Sequence, residues 1–164
     1  MTRTTRVSES IVVAADPAVV YDVVSHPDRI PEFSPENTRG VVDDPDRAAY
    51  AGMTFTGWNR RLGFRWSTRC EVTAADPNRR FEFAVRRWGF GPVMAPVAVA
   101  TWTFTLEPVD GGTRVTETWT DDRGWPDGVA AVFDRIVTGK PGFAEFQRGN
   151  IAESLKRLKR LIEG

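Results

Sequence analysis

Between Thr38 and Thr120 the chain repeats one short cycle, in which apolar and polar residues alternate until turn-forming residues break the alternation. A period of two puts successive side chains on opposite faces of a strand, so this stretch predicts a run of strands sharing one apolar face. Val41-Val42, Thr54 to Asn59, Arg65 to Ala75, Arg79 to Arg87, Val97 to Pro108 and Thr113 to Thr120 read as a six-strand meander. Asp43-Asp44-Pro45-Asp46, Arg60 to Phe64, Asp76-Pro77-Asn78 and Val109-Asp110-Gly111-Gly112 are its turns, and Trp88 to Pro96 reads as an apolar loop broken by Gly and Pro. An antiparallel sheet with one apolar face needs a cover. One segment is long enough to supply it: Phe143 to Glu163, with Phe143, Ile151, Leu155, Leu158 and Ile162 along a helical stripe.

The remaining elements flank the meander. Val7 to Ala14 is β-rich and ends at Asp16-Pro17, a helix start with Asp as N-cap and Pro in the first turn. Val19, Val20, Val23 and Val24 then recur at helical spacing until His26-Pro27, and Arg29 to Pro35 forms a second short turn. Pro126 to Val137 is another short helix. The order is an early strand, two short helices, the meander and a long final helix: an α+β chain with a seven-stranded antiparallel sheet. At 164 residues with no linker or repeat, residues 1–164 form a single domain.

Composition removes several classes. Lys+Arg and Asp+Glu are both 22, so no overall field calls for nucleic acid. A single cysteine, Cys70, excludes an internal disulfide, and one histidine beside it makes no zinc set. Met1 to Ser10 has no apolar core of the secretory kind, and the longest nearly uncharged run, Trp88 to Leu106, is broken by two prolines. A soluble cytoplasmic protein without cofactor or metal is the expectation, a monomer or homodimer, with membrane contact at most transient.

Alternation also sorts the side chains. Trp66, Thr68, Cys70 and Val72 share a face, as do Phe55, Gly57 and Asn59; Phe81, Phe83 and Val85; Trp102, Phe104 and Leu106; and Val115, Glu117 and Trp119. These should face the long helix. Glu117 stands out, because a lone carboxylate on an apolar face is costly; burial without a cation would raise its pKa and suit it to donating a hydrogen bond or proton. Pairing with an arginine, or a place at an exposed strand end, would make it structural instead. Asn59 either orients a ligand carbonyl or hydroxyl or satisfies backbone at its hairpin, and Tyr21 either points its phenol inward or packs at an interface. His26 in a helix-ending turn, inward Cys70 and the basic Lys156-Arg157-Lys159-Arg160 run read as a structural turn, an inert thiol and a solvated face.

The opening "VAADPAVVYDVVSHPDRIPEFSPE", the central "GMTFTGWNRRLGFRWSTRCEVTAADPNRRFEF", and the closing "TWTFTLEPVDGGTRVTETW" and "IAESLKRLKRLIE" together resemble the START / Bet v 1-like (SRPBCC) superfamily, and within it the bacterial polyketide cyclase/dehydrase-type family. The glycine-rich loop of plant Bet v 1 proteins has no counterpart here. The resemblance implies a helix-grip fold with a hydrophobic cavity between sheet and C-terminal helix, used across the superfamily for lipids, polyketides, sterols or quinones. An internal space of several hundred Å³ is the expectation. Its lining would be Phe55, Asn59, Trp66, Thr68, Phe81, Phe83, Trp102, Phe104, Glu117, Trp119 and Phe143. Alternating turns place Trp88 to Pro96 and Trp125 to Gly142 at one end of the sheet, so Trp88, Phe90, Met94, Trp125 and Phe133 would form the entrance. Three functions stay open: binding of a hydrophobic small molecule; an aromatase/cyclase or dehydratase using Glu117, Asn59 and Tyr21; or a protein-interaction or stress-response module using the apolar rim.

Overall fold

The computed structural model describes residues 2–164. β1 (Arg6–Val13) leads into α1 (Pro17–Val24) and a 3₁₀ turn over Pro27–Glu32. Then come β2 (Asn37–Val42), β3 (Thr54–Arg61), β4 (Phe64–Asp76), β5 (Arg80–Phe90), β6 (Val93–Ala95), β7 (Ala100–Val109) and β8 (Gly112–Asp121), followed by α2 (Asp127–Thr138) and α3 (Phe143–Glu163). The strands pair antiparallel in the order β1-β8-β7-β5-β4-β3-β2, with β6 added to the end of β5. The expected α+β architecture is present: a meander closed by β1 and covered by α3, which lies along β1 and β8.

Local chemistry explains the boundaries. Pro17 opens α1 with its fixed φ, and the Asp16 backbone carbonyl accepts from the Val19 and Val20 amides. The Asp16 side chain makes no capping hydrogen bond, so its expected N-cap role is carried by backbone alone. Ser25 ends the helix by donating its hydroxyl to the Tyr21 carbonyl.

Trp88 to Pro96 departs from the loop expected of it. β5 continues to Phe90, turns at Gly91, and returns as β6, with Trp88 opposite Ala95 and Phe90 opposite Val93. A Cβ at Gly89 would lie 1.9 Å from the Val93 carbonyl oxygen, so glycine is what lets the two backbones meet. The Ser67 hydroxyl donates to the Gly91 carbonyl and pins the turn to β4. Residues that suggest a broken loop therefore make a tight hairpin.

β4 and β5 are long, and register shifts at Arg69/Cys70 and Val72/Ala74 bend them around the helix. The inward set follows the alternation, but burial changes along the strands. At the end carrying α1, Val13, Val72, Phe81, Val115 and Leu158 are fully buried. Phe33 and Met53, from connections outside the strand pattern, complete that end, with Phe33 edge-on to Phe104 at 6.1 Å. At the other end, where the β3–β4 and β5–β6 turns meet the exit of β8, the inward Asn59, Trp66 and Trp102 stay partly exposed. The sheet–helix sandwich is closed at one end and open at the other.

Truncation should read this gradient. Leu158→Ala at the closed end should cost about 2–5 kcal/mol, whereas Phe90→Ala, half-exposed on a turn, should stay within about 1 kcal/mol. Urea unfolding followed by tryptophan fluorescence measures both, and equal losses would show that the open end is packed as tightly as the closed one.

Candidate functional site

Of the side chains expected to face α3, Phe55, Thr68, Phe81, Phe83, Phe104, Glu117 and Trp119 are buried. Phe83 touches both Phe55 (5.2 Å between ring centres) and Phe81 (6.0 Å), so these rings fill the interior from the closed end. Trp119 stacks on Phe143 at the first turn of α3, 6.3 Å apart. Asn59, Trp66, Trp102 and Phe143 line the open end and remain partly accessible. Tyr21 lies elsewhere, on α1 near Asp76, with burial first and that carboxylate second raising its phenol pKa. The structure thus separates Tyr21 from Asn59, which sits next to the opposite end.

Glu117 is 4 % exposed, one inward step deeper than Trp119 on β8. Its Oε2 has no hydrogen-bond partner, and burial pushes its pKa up to about 8. Arg148 of α3 pairs instead, at 3.7 Å, with Glu9, the residue opposite Glu117 on β1. The arginine partner that would make Glu117 structural is absent among the described residues. At neutral pH the group is a carboxylic acid, able to donate one proton and accept at the other oxygen.

A second polar group occupies the β2–β3 side of the open end. Asn37 donates its amide to Asn59 Oδ1 at 3.2 Å, while Asn37 Oδ1 and Glu36 Oε1 are buried without hydrogen-bond partners, the latter 3.7 Å from Arg61 Nη1. A Cβ on Gly57 would approach the Asn37 amide nitrogen to 3.2 Å, so the bare glycine leaves room for that amide over the inner face. Burial raises the Glu36 pKa, against the pull of Asn150 and Arg61. The Arg61 guanidinium lies 3.7 Å above the ring of Phe146 on α3. Asn59 is therefore bonded within the protein, and Glu36 and Asn37 were missed by a pattern search because they precede the alternating run.

The expected entrance residues fall into two groups. Phe90 sits edge-on to Trp88 (5.1 Å) and Phe64 (5.6 Å) on the β4–β5 side, with Met94 behind them on β6. Trp125 meets Phe133 edge-on at 5.2 Å on the α2 side. Between the β8 exit and α2 lies a buried ion cluster that alternation cannot reveal. Arg123 donates Nε and Nη2 to Asp121 and Nη1 to Asp134 at 2.7 to 2.9 Å, and Arg3 reaches Asp121 at 3.2 Å. Asp134 also accepts the amide of Phe143, tying α2 to the start of α3. Burial raises the Asp121 pKa, but the bonds from Arg123 outweigh it and hold the carboxylate below its ordinary range.

The two depressions that stand out lie outside this interior. One of about 500 Å³ runs between α1 and the end of α3, lined by Val19, Arg29 and Leu161 among others. One of about 300 Å³ lies under Pro45 beside the 3₁₀ turn. None of the side chains expected to line the cavity lines either, and the several hundred Å³ expected between sheet and helix is not among them. Phe33 and Met53, absent from the strand pattern, occupy part of that space. Cys70 is buried, with its thiol pushed up to about 12 by burial. His26 bonds the Asp22 carbonyl, and Arg157 and Lys159 pair with Glu153 and Glu163 on the surface of α3. No helix among the described residues is long and apolar enough to cross a membrane.

Comparison with known proteins places this geometry. The family model described as "Polyketide cyclase / dehydrase and lipid transport" matches residues 4–163. A polyketide-cyclase-like protein of Corynebacterium glutamicum is 29% identical, with a TM-score of 0.58 over 99% of this chain and 94% of that one. A Thermus thermophilus protein aligns at 0.68 with 18% identity over 96% of each chain. DynU16, from the dynemicin biosynthetic locus, aligns at 0.62 with 17% identity over 98% of this chain and 48% of that one. No curated protein matches.

Two outcomes test the site. A carboxyl whose folded pKa is raised is protonated in the native state and ionised in the unfolded chain between about pH 4.5 and 8, so its burial costs stability progressively as pH rises through that window. Glu117→Gln should therefore raise stability at pH 8, by up to about 3–5 kcal/mol, and leave it unchanged near pH 4; thermal melts across this range measure the difference. Arg123→Gln, which leaves buried Asp134 without a cation and Asp121 with Arg3 alone, should cost about 3–5 kcal/mol and open α2 to limited proteolysis at Gly139 to Gly142.

Proposed function

The chain belongs to the polyketide cyclase / dehydrase and lipid transport family, and on that premise we propose that it binds a hydrophobic small molecule, a lipid or polyketide, entering at the open end between sheet and α3. Glu117 carries this reading. A buried carboxylic acid with an unpartnered oxygen costs the free protein stability, and a ligand carbonyl or hydroxyl offers the missing partner. Trp66, Trp102 and Phe143 give the open end accessible aromatic surface, and Asn37 offers an acceptor from the β2 side. Few polar groups on an apolar wall orient a greasy ligand without holding it by charge.

The same acid favours a second reading. With a pKa of about 8, Glu117 holds a proton at neutral pH and can give it to a developing oxyanion or a leaving hydroxyl, as a cyclisation or dehydration of a polyketide requires. The binding reading comes first because the one carboxylate opposite Glu117 among the described residues, that of Glu9, is paired with Arg148 and not free to take a proton from carbon.

Uptake of an environment-sensitive naphthalene or fatty-acid probe tests the binding reading. Trp102→Ala should weaken probe binding about tenfold, and Glu117→Gln, which keeps a donor, should bind more strongly than Glu117→Leu. Absence of uptake by the unaltered protein, or indifference to both sites, would overturn it. Loss of water from a linear β-polyketone by the unaltered protein, abolished in Glu117→Gln while probe binding persists, would establish the enzymatic reading instead.

A further inference from the structure

We infer that the open end of the molecule docks on an anionic lipid bilayer, led by the turn between β3 and β4. That turn carries three features that cost the free protein stability. Leu62 is 96 % exposed and has φ of +47°, followed by Gly63 at +83°. Two-residue hairpin turns with positive φ at both positions favour Asn or Asp before Gly, because a leucine there carries the steric cost of the left-handed region. Here it also gives a large apolar side chain to water. Phe64, next in sequence, is exposed as well. Arg60 and Arg65 lie directly opposite one another on the two strands, where like charges repel. Among the described residues neither has an ion-pair partner.

The neighbouring turn adds further exposed apolar residues beside two arginines, of which Arg86 lies 3.7 Å from Glu71 and Arg87 donates to the Met94 carbonyl. Arg86 and Arg87 precede Phe90 and Val93, both exposed. α2, leaving the same end of the sheet, turns Val132 and Ile136 to solvent and buries only Ala130 and Asp134. The segments Arg60 to Arg65 and Arg86 to Met94 contain five arginines and no acid, whereas Asp43, Asp44, Asp46 and Asp110 occupy turns at the opposite end. On a chain of zero net charge these two turns are thus locally basic.

An anionic bilayer satisfies these features together. Headgroups neutralise the facing arginines, each such cation adding about 1 kcal/mol near a charged surface, and the acyl boundary takes up the protruding Leu62 and Phe64. A second copy of the chain presents the same arginines and would repel them. Docking goes beyond the ligand reading and does not depend on it, although it would place the open end where a lipid-derived ligand resides.

The test is co-sedimentation of the full chain, stripped of bound small molecules, with phosphatidylcholine vesicles and with mixed phosphatidylcholine–phosphatidylglycerol vesicles. The protein should bind the mixed vesicles more strongly, and salt should weaken the binding. Leu62→Asn should lower that partition about tenfold while raising the melting temperature, since Asn suits the left-handed position. Arg65→Gln should lower it about fivefold on mixed vesicles and not on neutral ones. No binding to the mixed vesicles, or partition unaffected by both substitutions, overturns the proposal; so does a concentration-dependent dimer that Leu62→Asn dissolves without vesicle binding. Vesicle binding without probe uptake would sustain docking and sink the ligand reading, and the converse would do the opposite.

Discussion

The buried guanidinium of Arg123 holds α2 and the start of α3 to the end of the sheet. The sheet ends at Asp121, and everything after it must be fixed to the sheet by some interaction. Hydrophobic burial cannot do this for α2, whose valines and isoleucine face outward. Instead Arg123 joins Asp121 at the end of β8 to Asp134 on α2, and Asp134 receives the Phe143 amide at the start of α3. The rings of Trp125 and Phe143 lie 5.0 Å from the same guanidinium. A buried ion cluster of this kind contributes little net stability, because desolvation offsets much of the attraction, but it admits one geometry. It decides where α3 begins, and so how wide the sandwich stands open.

That decision divides the protein along its strands. At the closed end Val72, Phe81, Val115 and Leu158 exclude water completely and supply the cohesion of the fold. At the open end the same strands carry Trp66, Trp102, Asn59 and Glu117, which are large or polar and only partly satisfied. The bent β4 and β5 continue beyond the helix and end in turns that extend the inner face outward. The tightly packed core and the partly satisfied polar and aromatic groups therefore occupy opposite ends of one continuous sheet, and changes at one end are only weakly felt at the other.

Glu117 and Leu62 illustrate the same tension at different depths. The first is a carboxyl that burial keeps protonated; the second is a leucine in a backbone conformation and a solvent exposure that both disfavour it. Each would be improved for folding by a simple replacement, glutamine in one case and asparagine in the other. Features that oppose folding gather at functional surfaces because a partner, not the core, compensates them. Glu117 lies on a strand that runs to the open end, and Leu62 in the turn joining two such strands.

The alternating pattern from Thr38 to Thr120 was enough to determine the meander, the inward set on each strand and the role of Phe143 to Glu163 as the cover, since these depend on a period of two or 3.6 and on the need to bury one face. It also singled out Glu117, because a carboxyl between Val115 and Trp119 is anomalous on any apolar face. The hairpin at Gly89 to Met94 was not legible, because Gly and Pro signal a break without saying whether the backbones then meet. Phe33, Met53 and Glu36 lie in connections without periodicity, so their positions follow from where the chain crosses the sheet. The Arg123 cluster was hidden for the same reason: Asp121, Arg123 and Asp134 lie close in sequence but Arg3 comes from the other end of the chain, and only the exit angle of β8 brings them together. Tertiary structure alone decided that Glu117 has no cation among the described residues, that Tyr21 and Asn59 lie toward opposite ends, and that one end stays open, because partner choice is set by the directions in which whole elements leave the sheet.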